Sequence, residues 1–323
     1  MEKKARTATL PTISIIFPTW NGKEETKKFL TSLKGVTYPK EKMDVVMVDN
    51  ASTDGSQNAI RIQFPFVKIV ELSLNIGFAA AVNVGLSHSL GDYIFVCNND
   101  IRLHPDTVTL LVSYLQKHPD VGVVGPRIFF ADAPKRTSFS GYNFNFWTGD
   151  IRSLPHPEKT KETMWVQGCA MCFRRTLLDH VGLFDEGFFF SFEDSDFCLR
   201  ATQKGFTHVY YPKAVLWHGE NKSIDTLGAA QKNFQLYRSK FRFLFKHGNV
   251  LQIFSSLFLQ FTLIGIFKNI VLKDGVWLPI LRGFFSYPVM LQALWWNMLH
   301  LPQTHEARKK GFLTFPKPER RKQ

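Results

Sequence analysis

Residues 92–100 read DYIFVCNND, a β-favouring apolar run that passes directly into two amides and a carboxylate, Asn98, Asn99 and Asp100. An unbroken apolar run of this length suits a strand covered on both faces. Several such runs recur on either side: ISIIFPTW at 13–20, MDVVMVDN at 43–50, VKIVEL at 67–72 and VGVVGP at 121–126. The segments between them, after residue 22 and near 55–63, 78–89 and 105–118, have helical spacing. Strands alternating with helices predict an α/β fold with a mostly parallel, doubly wound central sheet.

In such a sheet ligands bind beyond the carboxyl ends of the strands. Those ends are PTWNG at 18–22, DNASTDGS at 49–56 and NND at 98–100, all polar and turn-forming. No G-x-G-x-x-G and no Lys-bearing phosphate loop follows the first strand, which disfavours dinucleotide oxidoreductases and P-loop NTPases. Bound phosphates would then need a divalent cation held by carboxylates. Asp100 is placed to hold Mg²⁺ or Mn²⁺ against a diphosphate, with Asn98 and Asn99 beside it for ribose or phosphate, although Asn-Asn-Asp is also ordinary turn chemistry. Asp49 and the polar turn after it suit a base and ribose, or equally an Asx turn with a helix cap.

Beyond a Pro-, Gly- and aromatic-rich excursion at about 130–160, regular structure returns. Residues 165–182 read as strand then helix, 193–205 as a helix closed by Gly205, and 207–218 as strands. The stretch GLFDEGFFFSFEDSDFCLR at 182–200 sets Glu193, Asp194 and Asp196 at a helix start behind Phe188, Phe189, Phe190 and Phe192. Capping and the helix dipole alone account for acids there, but a carboxylate against an apolar wall also has a raised pKa and serves as a general base. His218 ends a later strand, where it is either structural or completes a metal shell with Asp100.

The 323-residue chain is 45% hydrophobic and 14% aromatic, enough for one large domain with an appended helical region. Its net charge of +13 favours polyanions: nucleic acid, nucleotide phosphates or an anionic membrane. Much of the excess sits in the tail, where Arg308, Lys309, Lys310, Lys317, Arg320, Arg321 and Lys322 outnumber Glu306 and Glu319. That placement suits anionic lipid and argues against nucleic acid. Residues 251–272 are long enough to span a bilayer, yet Gln252, Ser256, Gln260 and Lys268 give one polar face, favouring an in-plane helix over packing within the protein or insertion. Residues 276–301 are expected to be broken by Pro279 and Pro288, and they carry the interface-suited Trp277, Trp295 and Trp296. The start of the chain is polar and basic, so the expected location is the cytoplasmic face of the cell membrane, peripheral or monotopic. Cys169 and Cys172, a C-x-x-C with neither a second pair nor a nearby His, are expected to be small buried residues rather than a zinc site.

Taken together, SIIFPTWNG, VVMVDNASTDGS, NIGFAAAVNVGL, FVCNND, GLFDEGFFFSFEDSDFCLR and VLWHGE resemble, in order and spacing, the inverting family-2 glycosyltransferases. The likeness extends over roughly residues 12–245 and is greatest for the bacterial rhamnosyltransferase and galactofuranosyltransferase branches. It implies a GT-A fold, a nucleotide-diphospho-sugar donor and a divalent cation. By motif it assigns Thr19, Asn21, Asp49 and Asp54 to the nucleoside, with Pro18, Asn50 and Ser52 in the same loops. Asn75, Gly77 and Asn83 fall in the donor-pocket segment. Asp100 matches the last acid of the D-x-D metal motif, whose first acid is replaced here by Asn98. His218 matches a metal-coordinating histidine, and Asp194 matches the catalytic base. Glu193, Asp196 and Trp165 are expected to orient the site or contact the acceptor.

The expected organisation is a polar extension at 1–11, a catalytic domain at 12–225, a membrane-associating helical region at 226–304 and a basic tail at 305–323. The expected reaction is inverting transfer of rhamnose or another hexose unit to a polyprenyl-diphosphate-linked glycan in cell-surface polysaccharide synthesis. QLYRS at 235–239 lacks the Trp of the Q-x-x-R-W motif of processive synthases, which favours transfer of one or a few sugars. The alternatives are a sugar-nucleotide pyrophosphorylase and a non-catalytic membrane-surface binding protein.

Overall fold

The computed structural model describes residues 10–219, 229–262 and 278–309. Most of the predicted N-terminal extension, Lys268 with the far part of the 251–272 segment, and the tail beyond 309 lie outside the described residues.

Four strands, β1 (Ile13–Thr19), β2 (Met43–Asp49), β3 (Val67–Glu71) and β4 (Tyr93–Cys97), pair in parallel in the order β3-β2-β1-β4. Every residue of β1 is buried, which explains its unalternating apolar sequence. Beyond β4 the sheet continues through β11 (Ala170–Arg174), β6 (Val121–Phe130), β12 (Thr207–His218) and β10 (Lys161–Glu162). Here the pairing is mixed: β12 runs parallel to β6, whereas β11 is antiparallel to both β4 and β6. The short β5 (Ile101–Leu103) pairs with β12, and β7 (Thr137–Phe139) with β6.

Helices α1 (Lys23–Lys34), α2 (Ser56–Gln63) and α4 (Thr107–Lys117) send Phe29, Leu33, Ile60, Leu111 and Leu115 into one face of the sheet. On the other face lie α3 (Phe78–Ser87), α5 (Leu177–Val181), α6 (Glu193–Thr202) and α7 (Ala229–His247), through Ala81, Leu86, Leu178, Phe197 and Phe243. The predicted helix over 193–205 ends at Thr202, and Gly205 closes the turn at φ +88°. Cys169 and Cys172 are buried and form no disulfide among the described residues.

The excursion at 130–160 contains a two-stranded hairpin, β8 (Tyr142–Asn145) and β9 (Asp150–Ser153), that lies beneath α8 (Val250–Phe261). Contrary to the expected break at Pro288, α9 (Leu278–Leu299) runs through that residue before α10 (Leu301–Lys309). Packing of α9 along α7 through Met290 and Ala293 against Phe241 outweighs the one backbone hydrogen bond that an internal proline removes. Pro279 stands at the second position of the helix, where no backbone donor is required.

Candidate active site

Asp100 follows β4 by three residues, and the β5–β12 register sets His218 opposite Ile101. These two backbone facts bring Asp100 and His218 together: His218 Nε2 lies 3.1 Å from Asp100 Oδ1 and 3.2 Å from Asn98 Nδ2. Asp100 Oδ1 and His218 Nδ1 are buried without hydrogen-bond partners among the described residues. If the Nε2 lone pair accepts from Asn98, it also faces a carboxylate oxygen, a repulsion that a cation at their meeting point would relieve. A buried carboxylate oxygen facing an imidazole Nε2 is a donor pair of the kind a divalent ion takes. Turning the Asn98 amide would add its oxygen to the same point.

Across the same cavity stands the start of α6. Ser191 and Phe192 both adopt left-handed backbone, φ +68° and +69°, an uncommon conformation for side-chain-bearing residues. This turn delivers Glu193 and Asp194 at the helix N-terminus, where the dipole favours negative charge. Gly168 N–H donates to Asp194 Oδ2 at 2.7 Å, and Ser195 N–H donates to Oδ1 at 2.6 Å. Burial raises Asp194 above the ordinary carboxylate value, and those donors moderate the rise. Burial, aided by Asp194, pushes Glu193 well above its ordinary value. The two backbone donors favour the charged form of Asp194, a support that Glu193 Oε2 lacks among the described residues. Glu193 Oε2 and Gln167 Oε1 are buried without partners among the described residues.

The cavity measures about 380 Å³. Of the expected site residues it gathers Pro18, Thr19, Asn50, Asn75, Gly77, Asn98, Asn99, Asp100, Glu193, Asp194 and His218. Several of these also brace one another. Asn99 Nδ2 donates to Thr19 Oγ1 and Thr26 Oγ1, both at 3.0 Å, while Asn50 donates to Gly77 O and accepts from Ile76 N–H. The Phe188–Phe192 run supplies the apolar wall through Phe189 and Phe190.

Other expected residues lie elsewhere. Asp49 is buried and does not line the cavity, its Oδ2 held by Ser52 N–H and Gln57 Nε2 while buried Oδ1 has no partner among the described residues. Asn21 and Ser52 tie the β1 and β2 loops together, and Asp54 Oδ2 accepts from Lys23 N–H at 2.9 Å. Asn83 brackets Phe184 through that residue's N–H and carbonyl. Trp165 is in the core beside Tyr142. Asp196 is fully buried, paired with Arg200, Lys246 and His247 rather than facing the cavity. Burial opposes its ionisation, but those three partners hold its carboxyl well below the ordinary value.

Sequence reasoning did not single out Trp20, Gln167 or Gln231, and met Gln235 only as the first residue of QLYRS; all four line the cavity. The signal for the last two was their i,i+4 spacing, which places both on one face of α7.

No Lys or Arg lines this cavity among the described residues, although the chain carries a net charge of +13. A diphosphate entering beside Asp100, Glu193 and Asp194 therefore depends on another source of positive charge.

A model of the family "Glycosyl transferase family 2" matches residues 14–182. An N-acetylglucosaminyl-diphospho-decaprenol L-rhamnosyltransferase of Mycobacterium tuberculosis is 26% identical over 239 residues, 66% of this chain and 76% of the relative. Glycosyltransferase AglE of Haloferax volcanii is also 26% identical, over 66% of this chain and 68% of its own. Among solved structures, a mannosyltransferase from Pyrobaculum calidifontis in complex with GDP-Man and Mn²⁺ superposes with a TM-score of 0.56 at 18% identity, over 94% of this chain and 85% of its own. TarS 1–349 of S. aureus, in complex with UDP-GlcNAc, gives 0.59 at 17% identity, over 88% and 79%. The fold is accordingly GT-A, and the chain belongs to the family 2 glycosyltransferases, with a rhamnosyltransferase among its relatives.

Proposed function

We propose that the protein transfers a single sugar, with inversion, from a nucleotide-diphospho-sugar to a lipid-linked saccharide in polysaccharide synthesis. The observation that carries this reading is the placing of Asp194 and the Asp100–His218 pair on one cavity that lacks basic side chains among the described residues. The relative that joins L-rhamnose to a decaprenol-linked sugar supports a deoxyhexose donor and a polyprenyl-diphosphate acceptor. The same lack of Lys and Arg argues against a pyrophosphorylase.

Asp100 and His218, with Asn98 beside them, would hold Mg²⁺ or Mn²⁺. When bound, the ion supplies positive charge to the departing diphosphate. Asp49 does not reach the cavity; it holds the turn after β2 through Ser52 N–H and Gln57 Nε2, and so shapes the loop at the nucleoside side. Phe189 and Phe190 exclude water from the sugar. Asp194 takes the proton of the acceptor hydroxyl as its oxygen attacks the anomeric carbon, and the sugar–phosphate bond breaks on the opposite face. Glu193 and Gln167, each with a buried oxygen unpartnered among the described residues, offer the acceptor hydrogen-bonding groups.

Calorimetric titration with UDP-, dTDP- and GDP-sugars, each with Mg²⁺, with Mn²⁺ and with chelator, tests the reading. Metal-dependent binding of one nucleotide is expected; folded protein that binds none would refute it.

A further inference from the structure

Helix α8 inverts the usual rule for a surface helix. Its exposed residues, Val250, Leu251, Phe254 and Phe258, are all apolar and each 68–69% exposed, whereas Ser256 is fully buried. Gln260 turns inward as well, donating to Ser256 Oγ at 2.6 Å and meeting the hairpin turn at Gly149. A helix whose free face adjoins water shows the opposite arrangement.

The second half of α9 repeats the inversion. Asn297 is fully buried and donates to the carbonyls of Arg238 and Ala293, while Leu291, Trp295, Met298 and Leu299 are exposed and Gln292 is the one polar residue exposed among 291–299. The two helices share one apolar cluster, to which α8 brings Leu257 and Phe261 and α9 brings Met290, Ala293 and Leu294. The hairpin tip extends the face: Ser255 Oγ donates to the Trp147 carbonyl at 3.0 Å, and Trp147 and Ile151 are exposed.

We propose that the outward sides of α8 and α9, with the β8–β9 hairpin tip, form one docking face for the interface of an anionic lipid bilayer. No described helix is long and apolar enough to cross a membrane, so the contact lies in the plane. Two observations select lipid as the occupant. Trp147 and Trp295 are suited to headgroup depth. The segment 305–323, continuous with α10, carries seven Lys or Arg against two acids, a complement to anionic headgroups.

The face and the cavity share α7. That helix places Gln231 and Gln235 on the cavity wall, while its Arg238 stacks on Trp296 of α9 at 4.3 Å and donates to Gln235 Oε1 at 3.0 Å. Docking would hold the acceptor side of the cavity beside the headgroups, where a lipid-linked sugar presents its hydroxyl. This last step rests on the proposed acceptor; the docking face does not.

The test is flotation of the full chain with phosphatidylcholine vesicles containing or lacking phosphatidylglycerol. Two double variants are compared with the parent, Phe254→Glu/Phe258→Glu on α8 and Trp147→Ser/Ile151→Ser on the hairpin. Near-ultraviolet circular dichroism checks the fold, and calorimetry checks donor binding. The expected result is at least a tenfold loss of partitioning for each variant, with fold and donor affinity retained, and weaker binding to uncharged vesicles. Parental partitioning by both variants would overturn the docking face. So would a parent dimer that the variants convert to monomers with vesicle binding unchanged, because a second copy would then cover the face. Vesicle binding that responds as expected in a protein without donor affinity would leave the docking face standing and remove the transferase reading.

Discussion

Lys246 Nζ stands 2.6 Å from Asp196 Oδ1 and 2.8 Å from Asp185 Oδ2, with all three side chains buried. Arg242 reaches Asp185 at 3.0 Å, and Arg200 reaches Asp196 at 2.9 Å. The network bolts α7 to the second turn-face of α6 and to the loop before the Phe wall, so it fixes the frame from which Asp194 projects. Replacing Lys246 with Met would leave two buried carboxylates short of a cation, at a cost of roughly 3–5 kcal/mol. Urea denaturation of K246M reads this directly, and a loss below about 1 kcal/mol, the level of an exposed pair, would show the network to be solvated.

The network also sets an acid limit. Because the Asp196 carboxyl is held well below its ordinary value, its contribution to stability is complete above about pH 4 and is lost as pH falls through its folded value. Glu193 and Asp194 act in the opposite sense: both are raised, so their contribution is complete at low pH and declines as pH rises past the ordinary carboxylate value. Unfolding free energy measured from pH 3 to 7 should therefore fall steeply at the acid end in the parent protein. In Asp196→Asn that acid-end slope should be reduced.

Asp194→Asn removes the proposed base but keeps its size. Its two backbone donors, Gly168 N–H and Ser195 N–H, would then face one carbonyl and one amide group. Sugar transfer should drop roughly 10²–10⁴-fold, while donor affinity stays near the parent value. The parent pH profile of kcat/KM should rise with pH through a limb above the ordinary carboxylate range, following the raised Asp194. Normal turnover by D194N would assign the base elsewhere.

The parallel half of the sheet and the polar strand ends were legible because each strand there is a continuous apolar run closed by turn residues, as in β1 and β4. The sequence sets Asp100 just beyond a strand, His218 at a strand's end and Asp194 at a helix start, and the fold brings these three to one cavity. What escaped depends on partners distant in sequence. Asp185 carries no local mark of the cations 57 and 61 residues later that bury it. Asp196 shares the acidic helix start with Asp194, yet lies on the opposite side of the turn, and only the position of α7 separates their environments. The hairpin at 142–153 leaves no strand period in the sequence because its short, exposed strands bury little, with Phe144 alone buried on β8.

Asp100→Ala should abolish the difference between donor affinity measured with Mn²⁺ and with chelator. The Asp100–His218 contact is buried, and both residues line the cavity. Restoring the carboxylate one carbon further away, in Asp100→Glu, should recover only part of the metal effect, because the β5–β12 register fixes the backbone separation from His218. Equal donor affinities with and without metal in the parent would exclude this pair as the ion's holder.

Gly77 offers a test of the Phe wall that leaves every charged group in place. It sits at φ +85°, and a Cβ there would stand 2.5 Å from the Phe189 carbonyl oxygen. That carbonyl accepts from Phe78 N–H at 2.8 Å, stitching the start of α3 to the wall. Gly77→Ala must therefore carry a positive-φ backbone strain of roughly 1–3 kcal/mol and also push Phe189 outward. The displacement would open the sugar side of the cavity while sparing Asp100 and Asp194. The expected result is weaker binding of the intact nucleotide-sugar with little change for the free nucleotide, measured by calorimetry on both ligands. An equal loss for both would place the wall against the nucleotide instead.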